Sequence, residues 1–121
     1  MKALTILFLI ETCLYATASL THAGFILEGH EHHQAMIAEA VIAATLLLGL
    51  ISLILNRRWS RTAAFCAQAF ALFGTLIGAF TIAVGVGPQT TLDYITHGVM
   101  ILLLLLGLIR LAKSGNAPPH Q

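Results

Sequence analysis

Four long apolar runs separated by short polar breaks make up most of the chain. They extend approximately over residues 3–21, 35–55, 63–86 and 94–112. Each is about twenty residues long, and at a helical rise of about 1.5 Å per residue such a run crosses a hydrocarbon layer of about 30 Å. Lipid supplies no partners for bare backbone N–H and C=O groups, so each run is expected to be helical. The connections are short, which makes sequential helices antiparallel neighbours. The pattern therefore predicts an all-α membrane protein, four transmembrane helices in a single antiparallel bundle, forming one domain over residues 1–113. The remainder, residues 114–121, is polar, contains Pro118 and Pro119, and is expected to be a disordered tail.

Composition strengthens this reading. Of 121 residues, 58% are hydrophobic and only 9% charged, with a mean hydropathy of +0.89. A soluble domain carries about a quarter charged residues, so the excess apolar surface must face lipid. An ordinary soluble enzyme is excluded on these grounds, and no Ser/His/Asp constellation is present. The glycines of "GVGPQ" form neither phosphate-loop pattern and have no basic residue nearby, so nucleotide and nucleic acid are not expected partners.

Charge adds an orientation. All six basic residues fall on one side: Lys2, then Arg57, Arg58 and Arg61, then Arg110 and Lys113. By the positive-inside rule both termini are cytoplasmic, in an inner membrane of bacterial type. The opposite side carries Glu28, Glu31 and Asp93 with His22, His30, His32 and His33. Trp59, in the basic loop, reads as an interfacial anchor. The first run also fits a secretory signal with Ala16-Thr17-Ala18 as cleavage site, although Glu11 interrupts its apolar stretch. Cys13 and Cys66 belong to no metal or redox spacing and are expected to be buried apolar thiols.

Within the third run Ala67, Ala71, Gly74, Gly78 and Gly85 recur on one helical face, and Gly74 to Gly78 is a G-x-x-x-G. In lipid, small residues permit close backbone approach, so this face is either central to the bundle or the surface of a homo-oligomer or larger membrane complex. Gly85, Gly87 and Pro88 should stop the run, and Thr90-Thr91-Leu92-Asp93 matches a capping box that starts the next.

The chemistry concentrates in "EGHEHHQ", Glu28 to Gln34, which puts three imidazoles and two carboxylates into seven positions. Two intramembrane groups lie at a depth matching this loop. Glu39 is about 6 Å below the outer boundary, and His97 enters the fourth run to a similar depth. A carboxylate in hydrocarbon needs a partner, and His97 is the expected one. Asp93 is i, i+4 from His97 and is placed to orient its ring, beside its capping role. His32, Met36 and Glu39 share a stripe. The ligand set His30, His32, His33 and His97, closed by Glu39, points to zinc or copper. His22 and His120 stand outside this cluster.

Glu11 lies about 12 Å from the cytoplasmic boundary, near the bilayer centre. Glu11, Tyr15, Ala18 and His22 share one face of the first helix and form a polar track rising to the outer rim. Gln68 on the third run is at a depth to bond Glu11. An intramembrane ionisable residue is a functional hypothesis by default; the alternative is a protonated Glu11, bonded to Gln68 or Thr12, that fixes helix pairing.

In length, number of spans and a first-span glutamate the chain resembles the small multidrug resistance transporters. The resemblance is architectural: the setting "LIETCLY", a fourth run of Leu and Ile, and the histidine cluster are different, and no residue roles carry across. His33 and His97 near one face are similar to the ligands of small b-type cytochromes, which makes haem a further cofactor to test. Three functional expectations result. The first is a transition-metal site at the outer rim, the second an accessory subunit packing through the glycine face, and the third a proton-coupled transporter using Glu11 and Glu39.

Overall fold

The structure, a computed structural model, describes residues 2–115. Its elements are α1 (Lys2–His22), α2 (His33–Leu55), α3 (Ser60–Ala83) and α4 (Thr91–Gly115), with no strand among the described residues. All four helices are long and apolar enough to cross a membrane. Helix α4 includes Ser114 and Gly115, which were expected to open the tail; the rest of that segment, with His120, lies outside the described residues.

Local chemistry accounts for the helix ends. Helix α1 stops at Gly24, whose φ of +81° only glycine adopts without strain. Around it Gly24 N–H donates to Thr21 O and Phe25 N–H to Leu20 O, the paired closure of a Schellman turn. The same closure ends α3, where Gly85 has φ +84° and Val86 N–H donates to Thr81 O. That is why α3 ends at Ala83, short of the expected residue 86. Helix α4 begins at the reciprocal pair expected from its capping box. Thr90 N–H donates to Asp93 Oδ2 at 2.9 Å, and Asp93 N–H donates back to Thr90 Oγ1 at 3.3 Å. Toward the other end of α4, Arg61 Nη2 donates to the carbonyl of Leu111 at 2.8 Å, placing a cation near the helix C-terminus.

Helix α1 packs on α2 and α4, α2 on α3, and α3 on α4. Pairwise contacts give the sense of each pairing. His22 meets Glu39 and Ser19 Oγ donates to Met36 O at one end of α1 and α2, while Phe8 lies against Gly49 near the other. Rising residue numbers on α1 thus meet falling numbers on α2. The same holds for α3 and α4, where Gly78 lies against His97 and Gln68 against Gly107. Among the described residues, Lys and Arg side chains therefore gather at one end and the histidines at the other.

The core divides along its length. Toward the basic end it is apolar, built from Leu4, Phe8, Leu46, Leu50, Leu53, Ala64, Leu104 and Leu111. Toward the histidine end it takes in His22, Glu39, Thr75 and Asp93, with Glu11 and Gln68 near the middle and, among the described residues, only Ser52 and Ser60 as buried polar side chains at the basic end. The small residues of α3 face inward: Ala67 and Ala71 are buried, a Cβ on Gly74 would stand 3.0 Å from Ile42 of α2, and one on Gly78 would stand 3.0 Å from His97 of α4. The thiols differ from expectation. Cys13 and Cys66 are exposed, because the buried face of each helix is taken by neighbours with stronger packing or pairing demands, and lipid is no worse a medium than the core for an apolar thiol. Trp59 is exposed at the basic end.

Candidate functional site

Helix α1 presents Leu4, Phe8, Glu11, Tyr15 and His22 along one buried stripe, at steps of four, three, four and seven. Three of these five are polar, and each reaches a polar side chain on another helix. Exposure is 1% at Glu11, 2% at Tyr15 and 6% at His22, against 7% at Glu39, so the column is enclosed by protein.

His22, the last residue of α1, is its upper end. Nδ1 lies 2.7 Å from Glu39 Oε2 on α2, and because a carboxylate only accepts, Nδ1–H is the donor. Nε2 points toward Asp93 Oδ1 of α4 at 3.5 Å, beyond normal hydrogen-bond length, and has no hydrogen-bond partner. One imidazole thus stands between two carboxylates and joins three helices. The loop holds it there, since His32 N–H donates to His22 O at 2.9 Å. The His32 ring meets the His22 ring edge-on, with centroids 6.5 Å apart.

This differs from the pairing expected from depth. The hydrogen-bonded partner of Glu39 is His22, which sequence reasoning left outside the cluster, rather than His97. The reason is connectivity: α1 and α2 are joined by a short loop, so the end of one lies beside the start of the other. The signal was available, because His22 continues the stripe of Glu11 and Tyr15 and ends its helix at the depth of Glu39. His97 lines the same region, but its Nδ1–H donates at 2.9 Å to the backbone carbonyl of Asp93. The Asp93 carboxylate does not orient His97 as expected. Its Oδ2 accepts from Thr90 Oγ1 at 2.6 Å as well as from Thr90 N–H, and its Oδ1 faces His22.

The loop histidines are dispersed. His32 is the N-cap of α2, its Nδ1 accepting from Ala35 N–H at 3.2 Å. His30 is half-buried, while His33, Glu28 and Glu31 are exposed. Met36 is tied through its backbone, accepting from Ser19. Among the described residues no group of three or more His, Cys, Asp or Glu side chains is gathered to hold a metal ion. The expected ligands His30, His32, His33 and His97 are therefore not assembled for zinc or copper.

Below the upper cluster, Tyr15 OH is hydrogen-bonded to Thr75 Oγ1 of α3. The Thr75 hydroxyl itself donates to Ala71 O at 2.6 Å, which makes Tyr15 the donor to Thr75. One turn further, Gln68 Nε2 donates to Glu11 Oε1 at 2.7 Å. Thr12, the other expected partner of Glu11, donates instead to Phe8 O at 2.7 Å. A cavity of about 250 Å³ opens between the histidine ends of the helices, and its walls include Tyr15, His22, Glu39, Thr75 and His97.

In comparisons with known proteins, the chain matches no family model, no curated protein and no solved structure.

Proposed function

We propose that this protein translocates protons, along an internal path that begins at the histidine rim and reaches Glu11 at the centre of the membrane. One observation carries the reading. A single face of α1 buries three polar side chains, and each is hydrogen-bonded to a different residue: His22 to Glu39, Tyr15 to Thr75, and Glu11 to Gln68. Burying polar groups in a membrane protein is costly unless they are hydrogen-bonded or paired, and ionisable groups at such positions mark proton relays. From Glu11 to His22 the column rises eleven residues, about 16 Å, roughly half of a bilayer core.

The cavity supports the same reading. At about 250 Å³, lined by Tyr15, His22 and Glu39 among mostly apolar neighbours, it has room for several waters between Tyr15 and His22. His22 between two carboxylates is suited to pass a proton in either direction. Below Glu11 lies a layer of Leu4, Phe8, Leu50, Leu53 and Leu111, so the hydrated path is a half-channel from one face, and a proton held on Glu11 completes the crossing past the buried hydroxyls of Ser52 and Ser60. In this reading the four spans form one antiparallel bundle in a bacterial-type inner membrane, both termini are cytoplasmic, and the half-channel opens outward. The exclusive placement of Lys and Arg at the opposite end supports that orientation.

The test is proton flux into phospholipid vesicles reconstituted with the protein, driven by an imposed potential and followed with an internal pH dye. Native protein should raise the flux above that of empty vesicles, and Glu11→Gln and His22→Asn should each return it to background. Native protein indistinguishable from empty vesicles would overturn the proposal.

A further inference from the structure

The Glu11–Gln68 contact leaves two buried oxygens without any partner, Glu11 Oε2 and Gln68 Oε1. They belong to the same pair of side chains, and a single proton would make one a donor to the other. The amide orientation follows from its second contact: Nε2 also lies 3.4 Å from the carbonyl oxygen of Leu104, where only a donor has a favourable interaction. Nε2 therefore faces both Glu11 and Leu104, and Oε1 is the orphan. With Glu11 ionised, both orphaned atoms are acceptors and neither satisfies the other. An uncompensated acceptor in a low-dielectric interior costs about 1–3 kcal/mol, and a carboxylate there costs more.

One proton resolves both. Placed on Glu11 Oε2, it turns that atom into a donor for Gln68 Oε1. The acid carbonyl then accepts from the amide N–H while the acid hydroxyl donates to the amide carbonyl. We infer that Glu11 and Gln68 form a closed, neutral acid–amide pair, with the proton on Glu11 Oε2 donated to Gln68 Oε1, and that this pair is a proton-binding site at the centre of the membrane. The inference deepens the proton-translocation reading by naming the inner terminus of the path and the residue that holds the proton there.

The surroundings fit a neutral pair. On α1 the nearest titratable groups are the exposed Cys13, two residues along, and Tyr15, one turn above, while Lys2 lies nine residues below, about 14 Å along the helix. On α3 the exposed Cys66 stands two residues from Gln68, and the nearest charged group is Arg61, seven residues away and about 10 Å along the axis, with its Nη2 on Leu111 O. On α4 it is Arg110, six residues beyond Leu104 and about 9 Å along the axis. Helix α2 places only Glu39 and His33 on its whole length, both at the histidine end. The immediate wall is Phe8, Leu46, Ala67, Ala71 and Leu104.

Gly107 of α4 is the positioning residue. A Cβ there would stand 2.8 Å from Gln68 Cδ and closer still to Nε2, so the nitrogen end of the amide packs against the glycine. No other residue leaves that seat open. Gln68 Nε2 thereby fits between Gly107 and Glu11.

Infrared spectroscopy on protein carrying ¹³C-carboxyl glutamate tests this without any gradient. At neutral pH the labelled native protein should show a protonated-carboxyl stretch, clear of the carboxylate bands, that survives Glu39→Gln and disappears in Glu11→Gln. Gln68→Leu should shift that stretch upward as the acid carbonyl loses its donor. Should Glu11→Gln not assemble, a stretch surviving Glu39→Gln still belongs to Glu11, because Glu28 and Glu31 are exposed. Absence of the stretch in native protein, or its loss in Glu39→Gln alone, would overturn the pair. The two claims separate cleanly. A protonated Glu11 in a protein without proton flux upholds the pair and removes the translocation reading, and flux with an ionised resting Glu11 does the reverse.

Discussion

His22 Nδ1 stands 2.7 Å from Glu39 Oε2, with both side chains more than nine-tenths buried, so the end of α1 is tied to the second turn of α2 inside the protein. Breaking a buried pair by removing one member costs about 3–5 kcal/mol, because the other is left uncompensated. His22→Ala and Glu39→Ala should each lower the thermal midpoint in detergent, followed by circular dichroism. The double variant His22→Ala with Glu39→Ala should be less destabilised than the sum of the single ones, since no orphaned partner remains. Strict additivity would show that the two residues are not coupled.

His30 and His33 supply the contrast. Neither is buried, and surface substitutions away from special features usually change stability by less than about 0.5 kcal/mol. His30→Ala and His33→Ala should leave both the thermal midpoint and proton flux at native values. A chelator should also leave the midpoint in place. A fall of several degrees with chelator, restored by zinc or copper, would revive a metal role for the loop.

Asp93 serves two neighbours through two oxygens, Thr90 through Oδ2 and His22 through Oδ1. Asp93→Asn keeps an acceptor for Thr90 and removes the charge facing His22. It should retain most of the stability while slowing flux. Asp93→Ala loses the cap as well, and a lost N-terminal cap costs about 1 kcal/mol. Equal stability of the two variants would remove the capping role.

Gly49 and Gly98 divide the helix glycines by what surrounds them. A Cβ on Gly49 would stand 2.6 Å from Phe8 Cε1 and 3.0 Å from Ala67 Cβ, so Gly49→Ala pushes α2 away from both α1 and α3. Overpacking of this kind costs about 1–3 kcal/mol. Around Gly98 nothing lies within 4 Å, and Gly98→Ala should stabilise by about 0.5–1 kcal/mol through helix propensity. Thermal unfolding of both variants should therefore move in opposite directions.

Gly107→Ala tests the seat of Gln68 by function rather than stability. The added methyl displaces the amide from Glu11, so proton flux should fall toward the level of Gln68→Leu while helix content in circular dichroism stays native. Unchanged flux would mean that the amide has another place to go.

Much of this fold is local and could be read along the chain. Run lengths define the four helices, because a helix hydrogen-bonds within itself and its rise is constant. Gly85 and the Thr90–Asp93 pair mark ends whose hydrogen bonds close within a few residues. The inward small face of α3 and the stripe of Glu11, Tyr15 and His22 are visible as helical periodicity. What periodicity does not contain is the rotation of each helix about its own axis relative to its neighbours. In a soluble protein, the hydrophobic face settles that rotation. Here lipid is as apolar as the core, so Cys13, Cys66 and the leucines carry no label for inside or outside. The partner of Glu39 depended on that rotation and on the short connection between α1 and α2, and both pointed to His22 over His97. Orphaned oxygens on Glu11 and Gln68 belong to the same class of fact, since only packed side chains reveal which polar atoms have been left unpaired.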